Sequence, residues 1–144
     1  MRTSLSLALL LLAGCAIAFG PPPTPIESLP VALYDADGRP VGVATFQGDS
    51  VGLTIRFDLH SLGDAPVEAV LDEHGRCERP SFLSVGAPWR TLERLAPDSA
   101  GRFQGSARFA WPKGHIDTTK LLGGDGSALL LLRGDARLAC GIVV

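Results

Sequence analysis

Few side chains in this 144-residue chain are of the types that carry chemistry, and its three histidines are scattered. His60 precedes a Ser-Leu-Gly sequence at the end of a predicted strand. His115 ends a Pro-Lys-Gly-His sequence that is typical of an exposed turn. Both are therefore predicted to be solvated surface histidines. The remaining histidine, His74, lies close to acidic residues and is the one that could take part in a site.

A metal centre is the first chemistry to consider for His74. Copper or zinc needs several imidazole or thiolate ligands that converge on one ion. Asp72 and His74 are weak candidates, because residues spaced i and i+2 share one face of a strand. His74 falls, however, in a predicted turn just before Gly75. The favoured prediction is therefore that the chain binds no metal.

Nucleophilic catalysis has equally little support. Ser81 and Ser84 lie near Asp72 and His74 in sequence, but closeness in sequence does not establish a catalytic triad. No G-x-S-x-G elbow, P-loop, dinucleotide-binding fingerprint or H-E-x-x-H motif is present. The adjacent Asp72 and Glu73 are better explained as loop surface than as an acid and base pair. We assign no catalytic residue.

The N-terminus predicts export. A single Arg2 precedes an apolar run over Leu5–Ala13, which is long enough for a signal peptide and too short to span a bilayer permanently. The run ends in Leu-Ala-Gly-Cys, which resembles a bacterial lipobox. That resemblance implies a signal peptide over residues 1–14, cleavage before Cys15 and lipidation of its thiol. The alternative is cleavage after Ala18 at a small-x-small site, which would release a soluble periplasmic protein.

Lipidation would place the protein on the outer membrane, facing the periplasm, because no aspartate follows Cys15. More than one acyl chain makes such an anchor stable. The Pro-rich segment that follows predicts an extended tether over residues 15–30. Either cleavage site leaves Cys77 and Cys140 as an even pair in an oxidising compartment, so they are predicted to form a disulfide.

The rest of the chain, residues 31–144, has the length of one domain. Short alternating apolar segments separated by Gly, Pro and Asp turns are typical of an all-β protein. The pattern predicts strands over Val31–Tyr34, Val41–Phe46, Val51–Leu59, Val67–Leu71, Phe103–Trp111, Ala128–Arg133 and Leu138–Val144. About eight such strands favour a sandwich or a Greek-key barrel. The net charge of −2 excludes a strongly basic surface for nucleic acid.

A family pattern surrounds the two cysteines. Cys77 is followed by Pro-Ser-Phe-x-Ser-x-Gly over residues 80–86, and a terminal Arg-x-Ala-Cys-Gly-Ile sequence runs over residues 137–142. Together they resemble copper/zinc superoxide dismutase, whose first motif has the form H-G-F-H-x-H-E-x-G-x-C. Glu73 and Gly75 match that motif in register. The resemblance implies an eight-stranded Greek-key barrel of the Cu/Zn superoxide dismutase type over residues 31–144.

The same resemblance argues against the family's reaction. Aligned on Cys77, the four copper-ligand positions are occupied by Val70, Asp72, Ala87 and Leu132 rather than histidine. The segment that would form the zinc loop, residues 86–101, contains no histidine. We expect Trp89, Leu92 and Leu95 to hold that segment by packing instead.

One active-site residue of the family is retained. Arg137 matches the arginine that guides superoxide to copper, although it has no metal to serve here. It is predicted either to bind backbone carbonyls of the disulfide loop or to retain a weak affinity for anions.

The sequence thus predicts a non-catalytic, metal-free pseudoenzyme of the bacterial envelope that binds an unknown envelope protein or small ligand. The alternative is a superoxide dismutase or copper-binding protein with a degenerate site, with copper, zinc or both as its cofactors. A homodimer is left open, because nothing in the sequence decides it.

Overall fold

Eight antiparallel strands account for most of the chain that the computed structural model describes, residues 27–110 and 118–144. The predicted signal peptide, Cys15 and His115 lie outside these ranges. The strands are β1 Leu29–Asp35, β2 Pro40–Gly48, β3 Gly52–Leu59, β4 Val67–Asp72, β5 Pro88–Leu95, β6 Phe103–Ala110, β7 Ser127–Arg133 and β8 Ala136–Val143. A 3-10 turn at Leu83–Val85 and the short helix α1 at Thr118–Leu122 are the helical elements. Within the described ranges, no helix has the length and apolar character needed to cross a membrane.

The strands form one sheet in the order β5-β4-β7-β8-β1-β2-β3-β6. The two outermost strands, β5 and β6, approach each other, and an isolated bridge joins Pro97, just after β5, to Phe103 at the start of β6. The sheet therefore curves into a nearly closed barrel, and its order places β4 beside β7 and β1 beside β8. This confirms the predicted all-β, eight-stranded barrel.

Beyond that bridge, side chains close the line between β5 and β6. The Arg90 guanidinium lies 4.9 Å from the centre of the Phe109 ring. Leu95 packs so closely against Gly105 that a Cβ there would lie 2.6 Å from its Cδ2 atom. We call this line the β5–β6 seam.

Alternation of apolar and polar residues explains the barrel core. In β3, Leu53, Ile55 and Leu59 are fully buried, whereas Arg56 and Asp58 face solvent. Such a period of two is what a sheet with one buried face requires. The core is completed by large apolar side chains from neighbouring strands, including Leu33, Phe46, Leu71, Phe103, Leu129 and Leu131.

Strand β5 was not predicted, because the segment from residue 86 to residue 101 was interpreted as a loop. The structure instead pairs Pro88–Leu95 with β4, with register shifts after Ala69 and Leu71. Charged residues and the two irregularities obscure the alternation of this strand. The prediction that Leu92 and Leu95 pack inward is confirmed. Strand β1 begins at Leu29, two residues before the predicted start of the domain.

Candidate functional site

A disulfide fixes the loop that follows β4. Cys77 and Cys140 are bonded, with their Cα atoms 5.7 Å apart and a sequence separation of 63. The bond joins residues 73–87, which we call the disulfide loop, to the centre of β8. The predicted pairing of these two cysteines is confirmed.

Backbone hydrogen bonds close the disulfide loop at its base. The Glu73 and His74 amides donate to the carbonyl oxygens of Ala87 and Val85, at 3.1 and 2.9 Å. In the middle of the loop Phe82 has a φ of 53° and is only 1% exposed. A left-handed backbone is unusual for an aromatic residue. Here it accompanies a ring that is buried against the barrel.

The buried side chains of the disulfide loop cover an apolar cluster on the outer face of the barrel. This outer cluster contains Val70, Phe82, Val85, Ala128, Leu130 and Cys140. It is separate from the barrel core, which lies on the other face of the same strands. Leu132 packs at its margin and is partly buried.

Two of the four positions at which the resemblance placed copper ligands lie in or beside this outer cluster. Val70 is opposite Leu130 in the sheet, and Leu132 is opposite Glu68, so Val70 and Leu132 are diagonal neighbours. Both side chains are apolar and contact other apolar side chains. A site packed in this way offers no donor to a cation, which would lose its water without compensation.

Asp72 lies on the same face of β4 as Val70, two residues further along the strand, but is distant from Leu132. It is opposite Ala128, four residues along β7 from Leu132, a displacement of roughly 13 Å along the strand. Its side chain is 2% exposed, and its Oδ2 atom has no hydrogen-bond partner among the described residues. Burial raises the pKa of Asp72 to about 6; Arg137 opposes the shift and Glu73 adds to it. Asp72 is therefore a buried carboxyl that is poorly compensated.

His74, the other weak metal candidate, is directed elsewhere. Its side chain is 52% exposed, and its Nδ1 atom lies 3.9 Å from Oδ2 of Asp125, to which Arg76 also donates at 3.2 Å. The ring packs on Gly86, where a Cβ would lie 2.7 Å from its Cδ2 atom. No hydrogen bond or ion pair joins His74 to Asp72 within the described residues.

The donors around Asp72 do not fit copper or zinc. Val70 and Leu132 supply none, and Ala87 is an exposed alanine whose amide donates to the Glu73 carboxylate at 3.4 Å. In residues 27–110 and 118–144, no three His, Cys, Asp or Glu side chains are grouped closely enough to hold an ion. The unpartnered Oδ2 of Asp72 is one potential ligand atom without the others that either metal requires.

The remaining predicted residues are dispersed. Arg137 is exposed, and its guanidinium makes no hydrogen bond to the disulfide loop in the described part of the chain. His60 is exposed, as predicted, and its Nδ1 lies 2.9 Å from the Ser61 hydroxyl. Ser84 accepts a hydrogen bond from the Glu78 amide at 3.0 Å and supports the disulfide loop. None of these residues converges on Asp72 as a catalytic set.

Two interactions could not be predicted from the sequence. Asp125, in a loop about fifty residues away, accepts a hydrogen bond from Arg76 and lies 3.9 Å from His74. No spacing pattern in the sequence predicts a contact between segments so far apart. Phe82 fills the outer cluster, although the sequence gives it only as part of a family motif. The burial of Phe82 could have been predicted from one signal: it is a large apolar residue in a loop that a disulfide holds against the barrel.

The barrel order, the disulfide loop and the outer cluster define a fold of the Cu/Zn superoxide dismutase-like class. Comparison with solved structures agrees. A SOD-like protein from Bacillus subtilis, in a double mutant with two residues changed to histidine, superposes with a TM-score of 0.65 and 23% identity, over 80% of this chain and 96% of that one. Cu/Zn superoxide dismutase from Brucella abortus superposes with a TM-score of 0.64 and 17% identity, over 82% of this chain and 100% of that one.

Comparison at the level of sequence finds no match, in contrast to the comparison of structures. No protein-family model matches the chain. No curated protein matches it either. At these levels of identity the likeness establishes the fold, and a fold by itself does not establish an activity.

Proposed function

We propose that this chain is a non-catalytic, metal-free superoxide dismutase-like module of the bacterial envelope, anchored by lipid at Cys15. The observation that carries the proposal is the packing of Val70 and Leu132 with the outer cluster under Phe82. Filling a former ligand site with apolar side chains is less costly than leaving it polar and empty. Such a module acts by binding another envelope component.

The two structural neighbours make this proposal reasonable, because the same barrel occurs in a protein described as SOD-like and in a Cu/Zn superoxide dismutase. The competing function is a superoxide dismutase or copper-binding protein with a degenerate site. In its favour is the unpartnered, buried Oδ2 atom of Asp72. Against it is the position of His74, whose Nδ1 atom lies 3.9 Å from Oδ2 of Asp125 and makes no contact with Asp72 among the described residues.

Metal content separates the two functions. The full chain would be incubated with copper and zinc, dialysed against a weak chelator and analysed by elemental mass spectrometry, with a superoxide dismutase assay on the same sample. We expect metal well below one equivalent per chain and no activity. The Brucella abortus enzyme, treated identically, is the positive control.

Stoichiometric copper would contradict the metal-free proposal. The double variant Asp72→Asn/His74→Gln then decides whether these side chains hold the ion. Loss of copper from that variant alone would establish the degenerate site. Arg76→Gln is the matched control, because it removes the other partner of Asp125 and no proposed ligand.

Lipid attachment is tested separately. In a bacterial host fed a labelled fatty acid, the wild type should carry label and fractionate with the outer membrane. Cys15→Ala should be unlabelled and soluble, because the thiol that accepts the lipid is gone. An unlabelled, soluble wild type whose N-terminus is Phe19 would establish cleavage after Ala18 instead.

A further inference from the structure

A small cavity lies beside the disulfide. None of the residues that line it occupies a position at which the resemblance placed a copper ligand. It has a volume of about 240 Å³ and is lined by Tyr34, Gly38, Cys77, Arg79, Phe82 and Cys140. Tyr34 is opposite Cys140 where β1 pairs with β8, so its ring stands next to the disulfide. The cavity thus joins the β1–β2 turn to the disulfide loop.

The buried part of this cavity is apolar. Phe82 and Cys140 are each 1% exposed and belong to the outer cluster. Tyr34, by contrast, is 45% exposed and offers an aromatic surface to solvent. An aromatic wall above an apolar floor favours a flat apolar group, since rings gain from offset or edge-on contact with other rings.

Arg79 supplies the cation of the cavity. Its guanidinium lies over Gly38, where a Cβ would come within 1.6 Å of Nη1. Gly38 has a φ of 81° in the β1–β2 turn, a backbone conformation that favours glycine. The Arg79 guanidinium thus lies against this turn, at the mouth of the cavity.

Among the described residues, no acidic side chain forms an ion pair with Arg79. Asp35 and Asp37, the acids of the adjacent turn, are both bound by Arg39, at 3.0 and 2.7 Å. Asp35 also accepts hydrogen bonds from the amides of Asp37 and Arg39. Within the described residues, Arg79 itself has no hydrogen-bond acceptor and no ion pair, including with its neighbour Glu78.

We propose that this cavity binds a small organic carboxylate, with the carboxylate on Arg79 and its apolar body between Tyr34 and Phe82. A guanidinium presents two parallel N–H donors that match the two oxygens of a carboxylate. A cavity of about 240 Å³ accommodates one ring or one apolar side chain rather than a larger ligand. A free aromatic acid and the C-terminus of a peptide share this chemistry.

The test is a binding titration followed by amide chemical shifts in nuclear magnetic resonance. The full chain carrying Cys15→Ala avoids competition from the lipid. Benzoate is the free acid, N-acetylphenylalanine represents a peptide C-terminus, and benzamide is the neutral analogue of benzoate. We expect both acids, but not benzamide, to shift the amides of Tyr34, Gly38 and Phe82. Tighter binding of one acid than of the other assigns the source of the ligand.

Variants locate the interaction. Arg79→Gln should weaken benzoate binding by about tenfold or more, as expected for loss of a charge-assisted pair. Arg76→Gln removes an equal charge from the same loop, where the guanidinium is already bound to Asp125, and should change affinity less than about twofold. Tyr34→Ala should weaken benzoate more than acetate, because acetate has no ring.

Several results would overturn the proposal. They are equal weakening by Arg79→Gln and Arg76→Gln, binding of benzamide as tight as that of benzoate, and binding of inorganic phosphate as tight as that of benzoate. Shifts confined to amides elsewhere would do the same. Arg79 is an exposed side chain, so its replacement leaves the fold intact, and the far-ultraviolet circular dichroism spectrum verifies this.

Discussion

At the scale of single residues, Asp72 is the side chain whose environment departs furthest from its preference. It ends β4 with almost no exposure, and its Oδ2 atom lacks a partner in the described part of the chain. Its backbone is well held, because Trp89 donates to its carbonyl oxygen at 3.3 Å. Burial disfavours the charged carboxylate, which is why its pKa rises to about 6.

The raised pKa of Asp72 makes folding stability depend on pH with a definite sign. The unfolded chain loses this proton near pH 3.8, whereas the folded chain keeps it to about pH 6. The contribution of Asp72 to the free energy of unfolding therefore falls as pH rises through this window. Between pH 4.5 and 7.5 the wild type should lose about 2 kcal/mol that Asp72→Asn does not lose.

Urea unfolding of both proteins at the two pH values measures this difference. Asp64→Asn controls for the removal of one negative charge, because Asp64 is exposed. A constant difference between wild type and Asp72→Asn across the pH range would contradict the assignment. The family resemblance aligned Asp72 with a copper-ligand position. Its burial could not be predicted, because it depends on packing against residues from other parts of the chain.

At the scale of elements, Arg133, the last residue of β7, holds the loop between β3 and β4 by hydrogen bonds. The Arg133 guanidinium donates to the carbonyl oxygens of Leu62 and Ala65, and its Nε donates to that of Pro66 at 3.4 Å. These carbonyls belong to the connection between β3 and β4. One side chain thus supplies the hydrogen bonds that this irregular segment cannot make for itself.

Replacing Arg133 with methionine should lower the free energy of unfolding by roughly 2–3 kcal/mol, because three carbonyl oxygens lose a charged donor. Urea unfolding measures the change. Arg94→Met, at an exposed position on β5 that lines the same surface cavity as Arg133, should change stability by no more than about 0.5 kcal/mol. Equal effects of the two substitutions would show that the Arg133 contacts contribute nothing specific.

The elements that sequence predicts best are those whose alternation is uninterrupted. β3 follows a period of two over its whole length, and its buried face was predicted correctly. β5 was missed because Arg90, Glu93 and Arg94 interrupt its apolar pattern. Its place in the sheet is decided by pairing with β4, which is information from another part of the chain.

At the scale of the whole molecule, the disulfide connects the disulfide loop to β8, the strand that lies between β7 and β1 in the sheet. The double variant Cys77→Ala/Cys140→Ala should lose about 4 kcal/mol of stability, because a cross-link over about sixty residues restricts the unfolded chain. Urea unfolding of oxidised wild type and the variant measures it. Reduced wild type should resemble the variant.

An unchanged unfolding midpoint in the double variant would contradict a stabilising role for the bond. Cys15→Ala is the control for loss of a cysteine that takes no part in the disulfide. The pairing could be predicted because the predicted export would leave two cysteines in an oxidising compartment. The covering of the outer cluster by Phe82 could not, because it depends on the path of the disulfide loop.

The β5–β6 seam has a consequence for motion. The neighbouring strands of the sheet are joined by ladders of backbone hydrogen bonds, whereas no such ladder joins β5 to β6 in the described part of the chain. An isolated bridge between Pro97, just after β5, and Phe103 lies at one end of the seam, and side chains such as Arg90 on Phe109 line the rest. Amide hydrogens that face the seam should therefore exchange with deuterium earlier than those shared by β7 and β8. We expect local opening of the barrel to begin along this seam, while β7 and β8, to which the disulfide loop is attached, stay paired.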